Sequence, residues 1–132
     1  MQSVGIYVNL EKDADFCVTK SIISIAEKFG AKCEVAETGK KYDFIISLGG
    51  DGTFLSASRK FLDEKIIGVN LGNLGFLSEI DKNSIEPELE KILNGKFFTE
   101  ERFFIETTIH EKKLRALNDI VVSRGNIARL LN

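Results

Sequence analysis

Tyr42 to Leu48, "YDFIISL", reads as a β-strand, and it runs directly into the glycine turn Gly49-Gly50-Asp51-Gly52-Thr53. The stretch after the turn, Thr53 to Leu62, reads as a helix. A strand, a bare turn and a helix in that order bring the first helical N–H groups, with their partial positive charge, to the turn. Such a turn is built to receive an anion. It lacks the Gly-Lys-Ser/Thr ending of a P-loop, and Gly50, Gly52 and Leu55 meet only two of the three glycines of a dinucleotide fingerprint.

The rest of the chain predicts the frame around this turn. Ser3 to Leu10 is a short β-branched run of buried-strand type. From Asp13 to Phe29 the apolar residues Val18, Ile22, Ile25, Ala26 and Phe29 recur at helical spacing, with Asp13 or Asp15 as caps and Gly30 as a left-handed stop. "KCEVAE" and "KIIGVNL" (Lys65 to Leu71) are further strands. This rhythm predicts an α/β fold over residues 1–96, an open, mostly parallel sheet with helices on both faces. In such sheets ligands bind beyond the C-terminal strand ends, where "GGDGT" and "NLGNLGF" both fall. A helix from Ile85 to Leu93, capped by Asn83 or Ser84, with Pro87 in its first turn and Gly95 after it, closes this part.

The texture changes after Lys96. "RFFIETTIH" alternates, "EKK" supplies a polar turn and "LRALNDIVVSR" is strand-like again, which predicts a hairpin. The apolar pattern is still running at "IARLLN". Residues 97–132 are therefore expected to be the first strands of a β-rich second domain, and the chain to be an N-terminal fragment.

Composition narrows the function classes. The 132 residues suit one ordinary domain, with globular proportions of apolar (43%) and charged (29%) residues. A net charge of −2 without a clustered basic face argues against nucleic-acid binding. No apolar run approaches the roughly 20 residues of a membrane span. Cys17 and Cys33 are too few and too far apart for a scaffold and fit a reduced, cytoplasmic setting, each acting as a small buried hydrophobe. His110, beside "EKK", reads as a surface turn residue.

Asp51 is the puzzle, since a carboxylate in an anion-binding turn repels its ligand. Two accounts fit the residues. Asp51 caps the following helix, or it faces a hydroxyl and takes its proton while backbone N–H groups hold the phosphates. The three flanking glycines favour the second, because a cap needs no bare backbone.

The pentapeptide Gly49 to Thr53 resembles the signature shared by NAD kinases, diacylglycerol-type lipid kinases and, with Ser for Thr, phosphofructokinases. "GVNLGNLGFLSE" (Gly68 to Glu79) and "ALNDIVVSR" (Ala116 to Arg124) resemble the second glycine motif and the Asn-Glu/Asp motif of the NAD kinase family, in the same order. The resemblance implies phosphorylation of the 2′-hydroxyl of the adenosine ribose of NAD, with ATP or inorganic polyphosphate as donor together with magnesium or another divalent cation. It makes Asp51 the base. Gly50, Gly52 and Thr53 would lie against the substrates, Leu55 and Phe76 match apolar positions near the nucleotide, and Asn118 and Asp119 match the pair that hydrogen-bonds the dinucleotide. Arg129 falls where a polar or basic nucleotide contact is usual. The protein metal ligands number none in this reading, and the full-length protein is expected to be a homo-oligomer. A fragment lacking much of the substrate pocket is expected to show weak or no activity. The other readings are a lipid kinase, which should lack "LGNLGFL" and "ALND", and a non-catalytic nucleotide-binding module.

Overall fold

A computed structural model of the chain describes residues 1–73 and 75–117. The chain divides into two compact units, Met1–Glu100 and Glu101–Asn132. In the first, β1 (Ser3–Val8), β2 (Lys32–Val35), β3 (Phe44–Gly49), β4 (Lys65–Asn70) and the two-residue β5 (Ile80–Asp81) form one sheet in the order β2-β1-β3-β4-β5. Every pairing in it is parallel. Helices α1 (Cys17–Lys28) and α3 (Ile85–Leu93) cover one face and α2 (Asp51–Lys60) the other. The predicted α/β architecture with helices on both faces is the one observed.

Alternate residues of β3 explain the layering. Phe44, Ile46 and Leu48 enter the larger core with Val4, Ile6, Ile22, Ala26, Ile85 and Leu89. Ile45 points the other way, to Tyr42, Ala57 and Phe61. A strand apolar on both faces needs a helix on each.

Helix α1 begins at Cys17, later than a start directly after Asp13 or Asp15 would put it, because Phe16 takes a left-handed conformation with φ 56°. Asp13 still caps it, from outside. Its buried carboxylate accepts from Val18 N at 3.0 Å, Thr19 N at 2.9 Å and Thr19 Oγ1 at 2.6 Å. Burial pushes the Asp13 carboxyl up, yet the bonds from Thr19 and Val18 outweigh it and hold its pKa below the ordinary value. At the other end Gly30, φ 82°, and Ala31 donate to Glu27 O and Ala26 O, a Schellman stop. Helix α3 has the predicted bounds and the same kind of stop at Gly95. Neither Asn83 nor Ser84 caps it with a side chain; Asp81 instead accepts from Asn83 N at the short 3-10 turn before it.

Cys33 is buried, and burial pushes its thiol up to about 12. Cys17 is exposed, contrary to expectation, because it opens α1 opposite the stripe of Thr19, Ile22 and Ala26. Among the described residues no helix is long and apolar enough to cross a membrane.

In the second unit β6 (Ile105–Ile109) and β7 (Lys112–Ala116) pair antiparallel. The turn is His110-Glu111 rather than "EKK". Both residues take positive φ, 46° and 66°, as primed two-residue turns do, which lets Ile109 pair with Lys112. β7 ends at Ala116, and the rest of the strand expected up to Arg124 lies, from residue 118, outside the described residues.

Candidate functional site

The strand order places the site. From β1 the chain moves outward through α1 to β2, whereas from β3 it moves the opposite way through α2 to β4, so the two exits diverge between β1 and β3. A crevice opens at such a switch point, beyond the carboxyl ends of the strands. Here it is an open cavity of about 610 Å³, lined by Tyr7 to Lys12 from the end of β1 and by Gly50 to Thr53 and Ser56 from the start of α2.

Gly50 is the N-cap of α2, extended at φ −137° and ψ −162°, and no side chain caps the helix. Asp51 is therefore not the cap. Its carboxylate reaches across to the second glycine segment, where Oδ2 accepts from Phe76 N at 2.9 Å and Oδ1 from Leu77 N at 3.0 Å and Ser78 N at 3.3 Å. The N–H groups of Leu77 and Phe76, with a smaller contribution from Ser78, hold the Asp51 pKa below the ordinary carboxylate value against the opposing effect of burial. Gly75 permits this approach, since a β-carbon there would overlap the Asp51 carboxylate.

The glycines sort into two kinds. A β-carbon on Gly49 would stand 2.8 Å from Thr53 Cβ, and one on Gly68 2.7 Å from Ser78 Cα. Packing requires both to be bare. A β-carbon on Gly52 would meet nothing within 4 Å, and one on Gly50 only Lys12 Nζ, at 3.3 Å. Neither has positive φ. Gly52 is the second residue of α2, where glycine disfavours the helix relative to alanine by at most the roughly 1 kcal/mol of an interior position. The fold gives no reason for glycine at 50 and 52. Close approach of a ligand to the backbone would supply one.

Of the residues singled out in the sequence, Gly50, Asp51, Gly52 and Thr53 meet at this cavity. Leu55 is half-buried on α2 and is not in the lining. Phe76 is 97% exposed, so it is no part of the core. Asn118, Asp119 and Arg129 lie outside the described residues. Sequence reasoning missed the contribution of the β1 exit. Tyr7 shares a hydrogen bond of 2.7 Å with Ser56, and Lys60 Nζ stands 4.9 Å from its ring centroid. Burial pushes the Tyr7 phenol up, but Ser56, Lys60 and Arg59 outweigh it and hold the pKa below the ordinary value. Asn70, buried, shapes the second segment by donating to Asn73 O at 2.6 Å and accepting from Gly72 N at 2.8 Å. The usable signal was position alone, in the first residues after a strand that ends at a switch point.

Residues 7–97 match the family described as ATP-NAD kinase N-terminal domain. The chain is 38% identical to the NAD kinase of Caldanaerobacter subterraneus subsp. tengcongensis, covering 98% of this chain and 54% of that protein. It is 34% identical to the NAD kinase of Ruminiclostridium cellulolyticum, with 100% and 54% covered, and 35% identical to that of Clostridium beijerinckii, with 99% and 52% covered. The chain thus spans about half the length of the curated relatives it matches.

Proposed function

Because this chain belongs to the ATP-NAD kinase N-terminal domain family, we propose that the protein phosphorylates the 2′-hydroxyl of the adenosine ribose of NAD, with ATP or polyphosphate as donor. The observation that carries this reading is the pair of glycines, Gly50 and Gly52, that packing and backbone dihedrals leave unexplained at the mouth of the cavity. Their bare backbone, at the positive end of α2, receives the phosphates.

Asp51 serves the acceptor. Three N–H donors occupy three of the roughly four acceptor positions of its carboxylate, which leaves room on Oδ2 for a hydroxyl. A carboxylate held below its ordinary pKa is a weak base. Phosphoryl transfer tolerates that, because in a loose transition state the attacking oxygen carries little charge and needs orientation more than early deprotonation. Leu55, Phe76, Asn118, Asp119 and Arg129 belong to the NAD side of this reading.

Among the described residues no group of three or more His, Cys, Asp or Glu could hold a metal ion. The cavity does offer two carboxylates, Glu11 and Asp51. With Asp51 committed to the hydroxyl, magnesium in this reading arrives on the donor phosphates and keeps phosphate and water as its ligands. The same reading puts the protein in the cytoplasm, away from nucleic acid and membrane, and makes the longer protein a homo-oligomer.

The test is product analysis with a protein of the relatives' length that contains this chain. Incubated with NAD, magnesium and ATP or polyphosphate, it should form NADP, identified by phosphorus NMR as a 2′-phosphomonoester. Asp51→Asn should lower turnover by about 10²–10⁴ while nucleotide affinity is retained. Formation of no NADP with either donor contradicts the reading. The 132 residues alone should turn over weakly or not at all, and a rate near that of the longer protein would refute that expectation.

A further inference from the structure

We propose that Lys12 is the cation that binds the phosphate chain of the donor, acting between the two glycine segments. This rests on the reading of the cavity as the donor site. Lys12 follows β1 in the loop that lines the cavity. The β-carbon positions of Gly50 and Gly72, one from each glycine segment, stand 3.3 and 3.4 Å from the same atom, Lys12 Nζ. The ammonium therefore lies over bare backbone on both sides.

Nothing in the fold accounts for that placement. Lys12 is exposed, and its side chain makes no hydrogen bond or ion pair with the described residues. Its neighbour is the N-terminus of α2, which is itself electropositive. Two positive poles converge there. The carboxylate of the turn, Asp51, is already engaged by three N–H groups. Lys12 is also the sole cationic side chain among the described lining residues, which include the carboxylates Glu11 and Asp51. A polyanion entering past two carboxylates needs a compensating charge, and lysine supplies it as a mobile point charge on a long stem. The N–H groups of the turn and the Lys12 ammonium would then hold the chain from opposite sides.

The experiment is calorimetric titration with inorganic tripolyphosphate of the wild-type chain, Lys12→Met and Lys12→Arg, each at low and at physiological salt. Wild type should bind, Lys12→Met should lose about tenfold or more in affinity with a shallower salt dependence, and Lys12→Arg should stay within about threefold. Both variants should melt within about 1 °C of wild type, because no internal contact is removed. Equal affinity of Lys12→Met and wild type overturns the proposal, and so does absence of binding by wild type. A lowered melting temperature in Lys12→Met that accompanies the affinity loss also overturns it, by making Lys12 structural. The kinase reading is tested separately in the longer protein. NADP formation with an unchanged donor KM in Lys12→Met sinks the proposal alone, whereas tripolyphosphate binding through Lys12 without NADP formation sinks the kinase reading alone.

Discussion

The two glycine segments are alike in sequence and unlike in construction. The first, Gly49 to Thr53, is fixed by the elements it joins, with Leu71 N donating to Gly49 O at 2.8 Å and Phe54 N to Gly50 O at 3.0 Å. The second, after β4, is held by side chains, Asn70 at its start and the Asp51 carboxylate at Phe76 to Ser78. Gly49, Gly68 and Gly75 are bare because neighbours press on them, whereas Gly50 and Gly52 face open space or a single flexible ammonium. Glycine richness by itself therefore does not mark a ligand site. The proposed site rests instead on glycines the fold does not use, Gly50 and Gly52.

Substitutions should separate the two constructions. Gly49→Ala has the largest expected effect on stability. Its new methyl meets Thr53 Cβ, on a stiff branched side chain inside a helix, and Asn9 Cβ at 3.1 Å on the other side. Overpacking of that kind costs about 1–3 kcal/mol, read as a lower denaturation midpoint of the whole first unit. Gly75→Ala should do less. There the obstacle is the end of the Asp51 side chain, which can swing away, so the loss is confined to the three bonds it makes. Amide exchange at Phe76, Leu77 and Ser78 should accelerate while the sheet amides keep their protection. If Gly75→Ala lowered the global midpoint as much as Gly49→Ala, the contrast between the segments would be wrong.

Acid should act next, and with a defined sign. Asp51 and Asp13 both titrate lower in the folded chain than their ordinary values. Their contribution is therefore complete above about pH 4, the unfolded carboxylate value, and is lost as the pH falls through the folded ones. Denaturant midpoints at pH 6 and pH 3 should differ in that direction, and Asp51→Asn should narrow the gap. The smallest effect is expected at Ser47. Its hydroxyl is buried and has no partner among the described residues, beside Gly68 across the β3–β4 ladder. Removing an unpaired buried hydroxyl relieves a desolvation penalty, so Ser47→Ala should leave the melting temperature equal or slightly raised.

Much of the fold was legible because its signals are local. The bounds Ile85–Leu93 were legible, with Gly95 forming the expected stop although the expected side-chain cap is absent, and the alternation of strand and helix patterns sufficed for a parallel sheet. The start of α1 was misplaced because Asp13 caps it from beyond a left-handed Phe16, which helical periodicity does not reveal. β5, at two residues, is too short to carry a pattern. His110 is the turn residue the sequence indicates, but the turn lies one residue earlier than "EKK" because Glu111, which has no preference for positive φ, takes its second position. At the site, the position of the glycine turn and Asp51 at a strand end was legible, but the partners of Asp51 lie 25 to 27 residues away and no spacing announces them. Lys12 carries no signal in the sequence, because its place depends on the sheet order that sets the end of β1 beside the end of β3.

Gly52→Ala tests the central claim most directly. The account predicts a split: alanine in the first turn of α2 should leave stability equal or raise it by up to about 0.5 kcal/mol, because its methyl meets no atom from outside its own helix and chain neighbours within 4 Å, while tripolyphosphate affinity falls about tenfold or more because that methyl occupies the approach to the turn. A Gly52→Ala chain that is at least as stable as wild type and binds tripolyphosphate as wild type does would contradict the account.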